Sequence, residues 1–388
     1  MPTSPIKNLL YQAGLTLSPS PRGQMSHEVI GRPIGMKAYE DLLKKHHVLG
    51  ASLLLKASGD ASLVHTSIST PARHVSSESL FRVASITKMA TALVVLKLSE
   101  EGAFSIDDPV APLLPDAAQA EALRCITVRQ LLSHTSGLRD TQAYENALNN
   151  RQTSHDVLRS EGIRSDSNAM AYCNFGFGLL GCLIEHVTGQ SVEAVFQQRL
   201  FQPLQMEATL DASTLDERRI VPIARVMPYR KGRETTITPL GRNSIAKPDP
   251  LRHFGHTAGA MYTDCASLSK LLQLIANDGA VEGRQVLSGA MIQQMKQQHG
   301  YTGPASNPTR RYGLGLVILD RPDISPRKLY GHQGFAYGCV DGAFYADGAD
   351  QQIVFLNGGC SEAREGRLGI SNKDLLQWAL QKELPAWK

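Results

Sequence analysis

Hydrophobic positions near the two ends of the chain alternate or cluster as strands do, whereas those in the middle follow helical spacing. Gly50-Ala51-Ser52-Leu53-Leu54-Leu55-Lys56 and Ala61–Thr66, separated by Ser58-Gly59-Asp60, predict a β-hairpin with a short Gly-Asp turn. Toward the other end, strand-like runs cover Tyr312–Leu319, Lys328–Gly331, Gly338–Tyr345 and Gln351–Leu356, and a helix covers Asn372–Leu384. Helices are predicted at Met36–His46, Val128–Ser133, near His155–Glu161, and at Phe175–Val187, Val192–Phe201, Leu268–Asn277 and Ser288–Gln298. Thr127 with Gln130 three residues on has the pattern of a capping box. The most apolar run, Met89 to Leu98, is apolar or small at nearly every position, so its helix is expected to be buried on most sides, with Gly102 near its C-terminal end.

Strands at both ends with helices between predict an α/β chain of the α+β type. One antiparallel sheet would be built from both termini and flanked by helices, with an inserted, mostly helical lobe. Residues 1–30, rich in Pro, Ser and Gly, read as an irregular lead-in. The sheet domain is expected over 31–80 and 256–388, and the helical lobe over 81–255. Residues 220–255 carry Arg225, Arg230, Lys231, Arg233 and Arg242 among Pro and Gly and read as a solvated surface loop, although long loops of this kind also carry function.

Composition narrows the function classes. The chain has 388 residues, 42% hydrophobic and 20% charged, which suits a large globular core. A formal net charge of +4 is small at this length and argues against nucleic-acid partners. Residues 1–36 contain no apolar run of signal-peptide length, and no segment is long enough to span a bilayer, so a cytoplasmic location without membrane contact is expected. A secreted protein with its leader removed would read the same way. Cys125, Cys173, Cys182, Cys265, Cys339 and Cys360 are scattered without a Cys-x-x-Cys pair, so they are expected to be reduced and mostly buried, with no metal site. His46-His47 is expected to face solvent.

The candidate chemistry begins at Phe81-Arg82-Val83-Ala84-Ser85-Ile86-Thr87-Lys88, where the buried helix starts. Ser85 and Lys88 share a helix face. A lysine at the head of a buried helix is costly unless it has partners or loses its proton, and a neutral amine beside a hydroxyl is a general base beside a nucleophile. Spacing alone does not decide the matter, because Ser-x-x-Lys also occurs at Ser4–Lys7, Ser267–Lys270 and Ser325–Lys328. Pro5 and Pro326 set two of these apart from helix interiors, and Lys270 lies on an amphipathic helix where it can reach water. Tyr172-Cys173-Asn174 precedes Phe175-Gly176-Phe177-Gly178-Leu179-Leu180-Gly181, whose dense glycines are expensive in a helix unless another backbone approaches closely. Tyr144-Glu145-Asn146 repeats the Tyr-x-Asn spacing without such a helix behind it. Gly331-His332-Gln333-Gly334-Phe335 joins two strand-like runs, where glycines would let a ligand lie along the backbone. A histidine in such a place can equally be structural.

Taken together, these motifs resemble the serine β-lactamase and penicillin-binding-protein superfamily, nearest the branch of class C β-lactamases, D-peptidases and family VIII carboxylesterases. The likeness runs from about Leu42 to Gly358 and includes Leu131-Leu132-Ser133-His134-Thr135-Ser136-Gly137-Leu138 and Tyr312-Gly313-Leu314-Gly315. It implies a β-lactamase/transpeptidase-like fold and a serine hydrolase that cleaves small esters, D-amino-acid amides or peptides, or β-lactams. Ser85 would be the acylated nucleophile, Lys88 its proton acceptor, and Tyr172 a phenol of lowered pKa acting as base. Asn174 would hold the substrate amide, and the N–H groups of Ser85 and Phe335 would form the oxyanion hole. No cofactor or metal is implied. Where relatives carry Lys-Thr-Gly or Lys-Ser-Gly, this chain has His332-Gln333-Gly334. That change points away from efficient penicillin hydrolysis, with His332 expected to meet a substrate carboxylate in a pH-dependent way. Cys173 stands where Ser is frequent, with little consequence expected, and no additional Gly-x-Ser-x-Gly is present. The resemblance also admits an acyltransferase, or a penicillin-binding or sensing protein that acylates without turnover. Oligomeric state is not implied.

Overall fold

Two segments far apart in the chain share one sheet in the computed structural model, which describes residues 5–18, 23–69, 72–115, 121–150, 152–160, 162–164, 169–238, 240–300 and 311–387. Helix α1 (Pro5–Leu17) and strand β1 (Met25–Gly31) lead into α2 (Met36–Lys45), β2 (Ala51–Ala57) and β3 (Asp60–Ser69). After the helical middle come β4 (Val317–Leu319), β5 (Leu329–Ala336), β6 (Cys339–Ala346) and β7 (Gln351–Asn357). The strand order is β1-β3-β2-β7-β6-β5-β4, antiparallel throughout, with the short strand Ala72–Arg73 added beside β3. The β2–β7 pairing, Ala51 opposite Asn357 and Ala57 opposite Gln351, joins the two ends of the chain.

β2 is buried on both faces, which accounts for its unbroken Leu53-Leu54-Leu55 run. Leu53 and Leu55 join the core against α2, where Tyr39 stacks on Trp378 with ring centres 5.9 Å apart. Leu54 points the other way, into the larger core shared with the helical part. That part is centred on α3 (Thr87–Glu100), buried from Thr87 through Leu96 and again at Leu98. The Thr127–Gln130 capping box forms as expected, opening α4 (Val128–Leu132).

The chain departs from expectation in four places. Residues 1–30 hold α1 and β1 rather than an irregular lead-in. Asn8, Tyr11 and Leu15 face the protein body, and Val29 and Ile30 sit on an exposed edge strand, so neither element shows a clean apolar period. Residues 220–255 include a two-stranded hairpin, Ile223–Met227 with Arg230–Thr235, followed by short 3₁₀ turns. His46 and His47 are buried, because the chain turns under the sheet after α2 (His47 φ 53°) and His46 Nε2 meets Asp374 Oδ2 at 2.8 Å. Gly331–Phe335 lies within β5 rather than between strands. The expected helix near His155–Glu161 is Ser154–Leu158, with Glu161 outside the described residues, as is Ser4 of the first Ser-x-x-Lys copy. All six cysteines are free and five are buried, Cys125 being the exposed one.

Candidate active site

A cleft of about 1240 Å³ opens between the sheet edge and the helices, lined among others by Ser85, Tyr172, Asn174, Tyr312, His332 and Phe335. Ser85 sits in a 3₁₀ turn, Ala84–Ile86, immediately before α3. Ala84 takes a left-handed backbone (φ 46°), unusual for a residue with a Cβ and of the kind that persists where the surroundings enforce it. Thr87 does much of that enforcing: its Oγ1 donates to the Ala84 carbonyl at 2.6 Å and accepts the Met261 N–H at 3.2 Å.

Lys88 is completely buried in the first turn of α3. Its Nζ lies 3.2 Å from Ser85 Oγ, 2.8 Å from Asn174 Oδ1 and 2.6 Å from the Ala258 carbonyl oxygen. Burial lowers its pKa from the ordinary lysine value to about 7, opposed by the Asp140 charge. A neutral amine has two hydrogens, and the two oxygens that can only accept, on Asn174 and Ala258, take both. The nitrogen lone pair is then left for the Ser85 hydroxyl hydrogen.

Two glycine-dependent contacts build this arrangement. Helix α5 (Gln142–Asn150) and the short helix Ser154–Leu158 precede α6 (Asn174–Thr188), and a Cβ at Gly178 of α6 would fall on the Phe254 carbonyl. The missing side chain lets residues 253–259 lie against α6 and brings the Ala258 carbonyl to Lys88. On the opposite side a Cβ at Gly334 of β5 would fall on the Val83 carbonyl, so β5 can pack directly on the segment that carries Ser85.

Tyr172 and Asn174 both line the cleft. Tyr172 is packed by His134, with ring centres 4.3 Å apart, and Lys88 Nζ lies 5.0 Å from its ring centre. Burial drives its phenol pKa up, against the expectation that a neighbouring cation would lower it; desolvation outweighs the Arg367 charge. Lys88 gives up its own charge near neutrality and so supplies little of the expected field. Asn174 is turned inward. Its Nδ2 donates to Asp140 Oδ2 at 2.8 Å while its Oδ1 faces Lys88.

His332 is buried and its pKa falls to about 3, first through desolvation. Nδ1–H donates to the Gln333 carbonyl at 2.7 Å, so Nε2 accepts the Tyr312 hydroxyl at 3.0 Å. It therefore offers no titrating cation to a substrate carboxylate. Gln333 also points elsewhere: its Nε2 donates to the Arg367 carbonyl and its Oε1 accepts the Gly369 N–H at 3.1 Å. Phe335 lies beneath the Arg364 guanidinium, 3.5 Å from the ring centre.

Three participants were not singled out from the sequence. His134 Nδ1 accepts the Cys173 N–H at 3.2 Å. Asp140 accepts the N–H groups of Asn174 at 3.0 Å and Phe175 at 2.9 Å, capping α6. Tyr312 orients His332. The run Leu131–Leu138 followed by Asp140 was the available signal, but nothing in it shows that its two ends grip Cys173 and Asn174. Tyr144, of the other Tyr-x-Asn copy, is buried in α5. Lys270 reaches outward to the Gln205 carbonyl. Among the described residues there is no group of three or more His, Cys, Asp or Glu that could hold a metal, and no helix is long and apolar enough to cross a membrane.

The β-lactamase family model matches residues 37–356. The chain belongs to the β-lactamase family. Among its relatives in that family, penicillin-binding protein 4 of Amycolatopsis lactamdurans is 28% identical over 314 residues, 77% of this chain and 78% of the relative. Penicillin-binding protein 4* of Bacillus subtilis (strain 168) is 25% identical over 311 residues, 76% of this chain but 65% of its own length. The D-amino acid amidase from Ochrobactrum anthropi SV3, solved with D-phenylalanine, shares the β-lactamase-family fold at a TM-score of 0.68 and 21% identity, covering 89% of this chain and 99% of that one.

Proposed function

We propose that the protein is a serine hydrolase that forms an acyl-enzyme on Ser85 and cleaves small amide, peptide, lactam or ester substrates. The observation that carries this reading is the setting of the buried Lys88 amine, its Nζ 3.2 Å from Ser85 Oγ and within hydrogen-bond distance of the Asn174 and Ala258 oxygens, where a neutral amine turns its lone pair to Ser85. Lys88 takes the Ser85 proton as Oγ attacks the carbonyl carbon, and the N–H groups of Ser85 and Phe335 receive the developing oxyanion. The C–N or C–O bond then breaks as a proton passes to the leaving atom. Tyr172, which keeps its proton, is suited to relay it rather than to act as the first base. Water later attacks the ester on Ser85 and regenerates the hydroxyl. The names of the relatives, penicillin-binding proteins and a D-amino acid amidase, support amide and lactam substrates beside esters.

The test is a panel of p-nitrophenyl acetate, nitrocefin and D-amino-acid anilides, combined with intact-mass analysis after a fluorophosphonate probe. Turnover of at least one class is expected, with a single adduct on Ser85 and neither in Ser85→Ala. An adduct on another serine would sink the assignment.

A further inference from the structure

Two elements that frame the mouth of the cleft, α1 and the hairpin Arg364–Glu365 with Leu368–Gly369, lie outside the residues matched by the family model. They are fastened to one another. Asn8 Nδ2 donates to the Arg364 carbonyl at 2.8 Å, and Asn8 Oδ1 accepts the Arg364 N–H at 3.1 Å, so one side chain pairs with the hairpin backbone as a strand would. The Tyr11 hydroxyl accepts the Glu362 N–H at 3.2 Å and donates to the Val226 carbonyl at 2.7 Å. The hairpin in turn is held to β5 through Gln333 and reaches the catalytic phenol, the Arg367 guanidinium lying 5.3 Å from the Tyr172 ring centre.

This wall turns Leu9 and Leu368 to the cleft beside polar and charged groups, and its charged groups are engaged within the protein. Arg364 lies against the Phe335 ring, Arg367 against Tyr172, and Glu365 pairs with Arg321 at 2.7 Å. Leu9 of α1 lines the cleft while 67% exposed, and Leu148, Leu240 and Tyr337 line it as well. A solvent-facing leucine on a cleft wall gains free energy when an apolar group covers it. We propose that α1 and this hairpin form a substrate-selecting wall, and that it favours substrates whose scissile carbonyl carries an alkyl or aryl chain extending past Leu9 to the mouth. The proposal rests on the hydrolase reading only for the position of that carbonyl at Ser85.

The test has a kinetic and a binding arm, both on the full chain. In the first, kcat/KM is compared for p-nitrophenyl octanoate and acetate. The octanoate-to-acetate ratio should exceed one and fall about tenfold in Leu9→Asp, the scale of losing a few methylene contacts. Asn8→Ala, which unfastens the hairpin, should lower the same ratio. In the second arm, octanamide, N-octylacetamide and N-methylacetamide are titrated into the Ser85→Ala protein. Octanamide, whose chain is on the carbonyl, should bind more tightly than N-octylacetamide and N-methylacetamide, and adding Leu9→Asp should abolish that octyl advantage. If the octyl advantage in binding depends on Leu9 while no substrate is turned over, the wall stands and the hydrolase reading fails. If turnover depends on Ser85 but Leu9→Asp changes neither the kinetic ratio nor the octyl advantage, the wall is overturned.

Discussion

Lys88 Nζ and Asn174 Oδ1 lie 2.8 Å apart because Asp140, on the far side of the amide, leaves the Asn174 side chain only one orientation. A carboxylate can accept from Nδ2 but cannot donate to Oδ1, so the amide oxygen is committed to Lys88. The position of the Lys88 amine is thus set by a residue that does not touch it.

That relationship predicts a pH profile. With Lys88 as the proposed proton acceptor, kcat/KM should fall as pH drops through about 7, the value to which burial brings this amine. The charges that act on it are Asp140, which raises its pKa, and Arg82, which lowers it; His134 and His332 are held neutral by burial, and Tyr172 and Cys173 stay protonated. Asp140→Asn should therefore shift the acid limb to lower pH, and should lower the plateau rate about tenfold through a loosened Asn174. A merely structural capping role would reduce the rate without moving the limb. In the same experiment His332→Gln should leave the pH dependence of the anionic-to-neutral KM ratio between pH 8 and 5.5 unchanged, since burial keeps His332 neutral over that range.

Stability should carry a parallel signature of the same lysine. The folded-state pKa of about 7 lies below the ordinary value of 10.5, so between them the unfolded chain binds the extra proton and stability rises with pH. Below about 7 the buried ammonium weighs fully against folding. Lys88→Met should be inactive yet more stable than the wild type at pH 6, with its advantage shrinking above pH 7 by up to about 1.4 kcal/mol per pH unit. Denaturant midpoints at several pH values would measure this. An advantage that is independent of pH would mean that Lys88 is not the group whose proton is lost.

Gly334→Ala should damage the site from the sheet side. The added methyl meets the Val83 carbonyl, and either β5 or the Ser85 turn must give way. Overpacking of this kind costs about 1–3 kcal/mol, and a shift of Ser85 by even an ångström costs on the order of a hundredfold in rate. Thermal melts and acylation rates measured together would show both losses. Wild-type acylation in Gly334→Ala would mean that the close approach is unnecessary.

The main elements were legible where burial writes a pattern. Met89–Leu98 is apolar or small at nearly every position because α3 is buried on most sides, and the glycines of α6 announced a close backbone neighbour without naming it. That neighbour, the Phe254 carbonyl against Gly178, could not be read, since a backbone oxygen has no sequence signature. His332 was misjudged for a related reason. A histidine between glycines looks accessible, and only the packing of Tyr312 against it makes it a buried, neutral acceptor. The phenol of Tyr172 was assigned a lowered pKa from the nearby cation alone, because desolvation depends on neighbours distant in sequence. α1 escaped notice because it is anchored by Asn8 and Tyr11 through backbone hydrogen bonds, leaving Ile6, Leu9 and Leu10 exposed and its apolar stripe on the outer side.

Because Ala51 pairs with Asn357, the central sheet has a seam that no partial chain can close. During synthesis the residues that surround Ser85 and Lys88 emerge long before β5 to β7, the strands that complete the cleft. Non-local pairings of this kind come late and slowly in folding. The nascent chain therefore carries Ser85 and Lys88 without a finished cleft, and their surroundings are complete only once the last strand across the seam has left the ribosome.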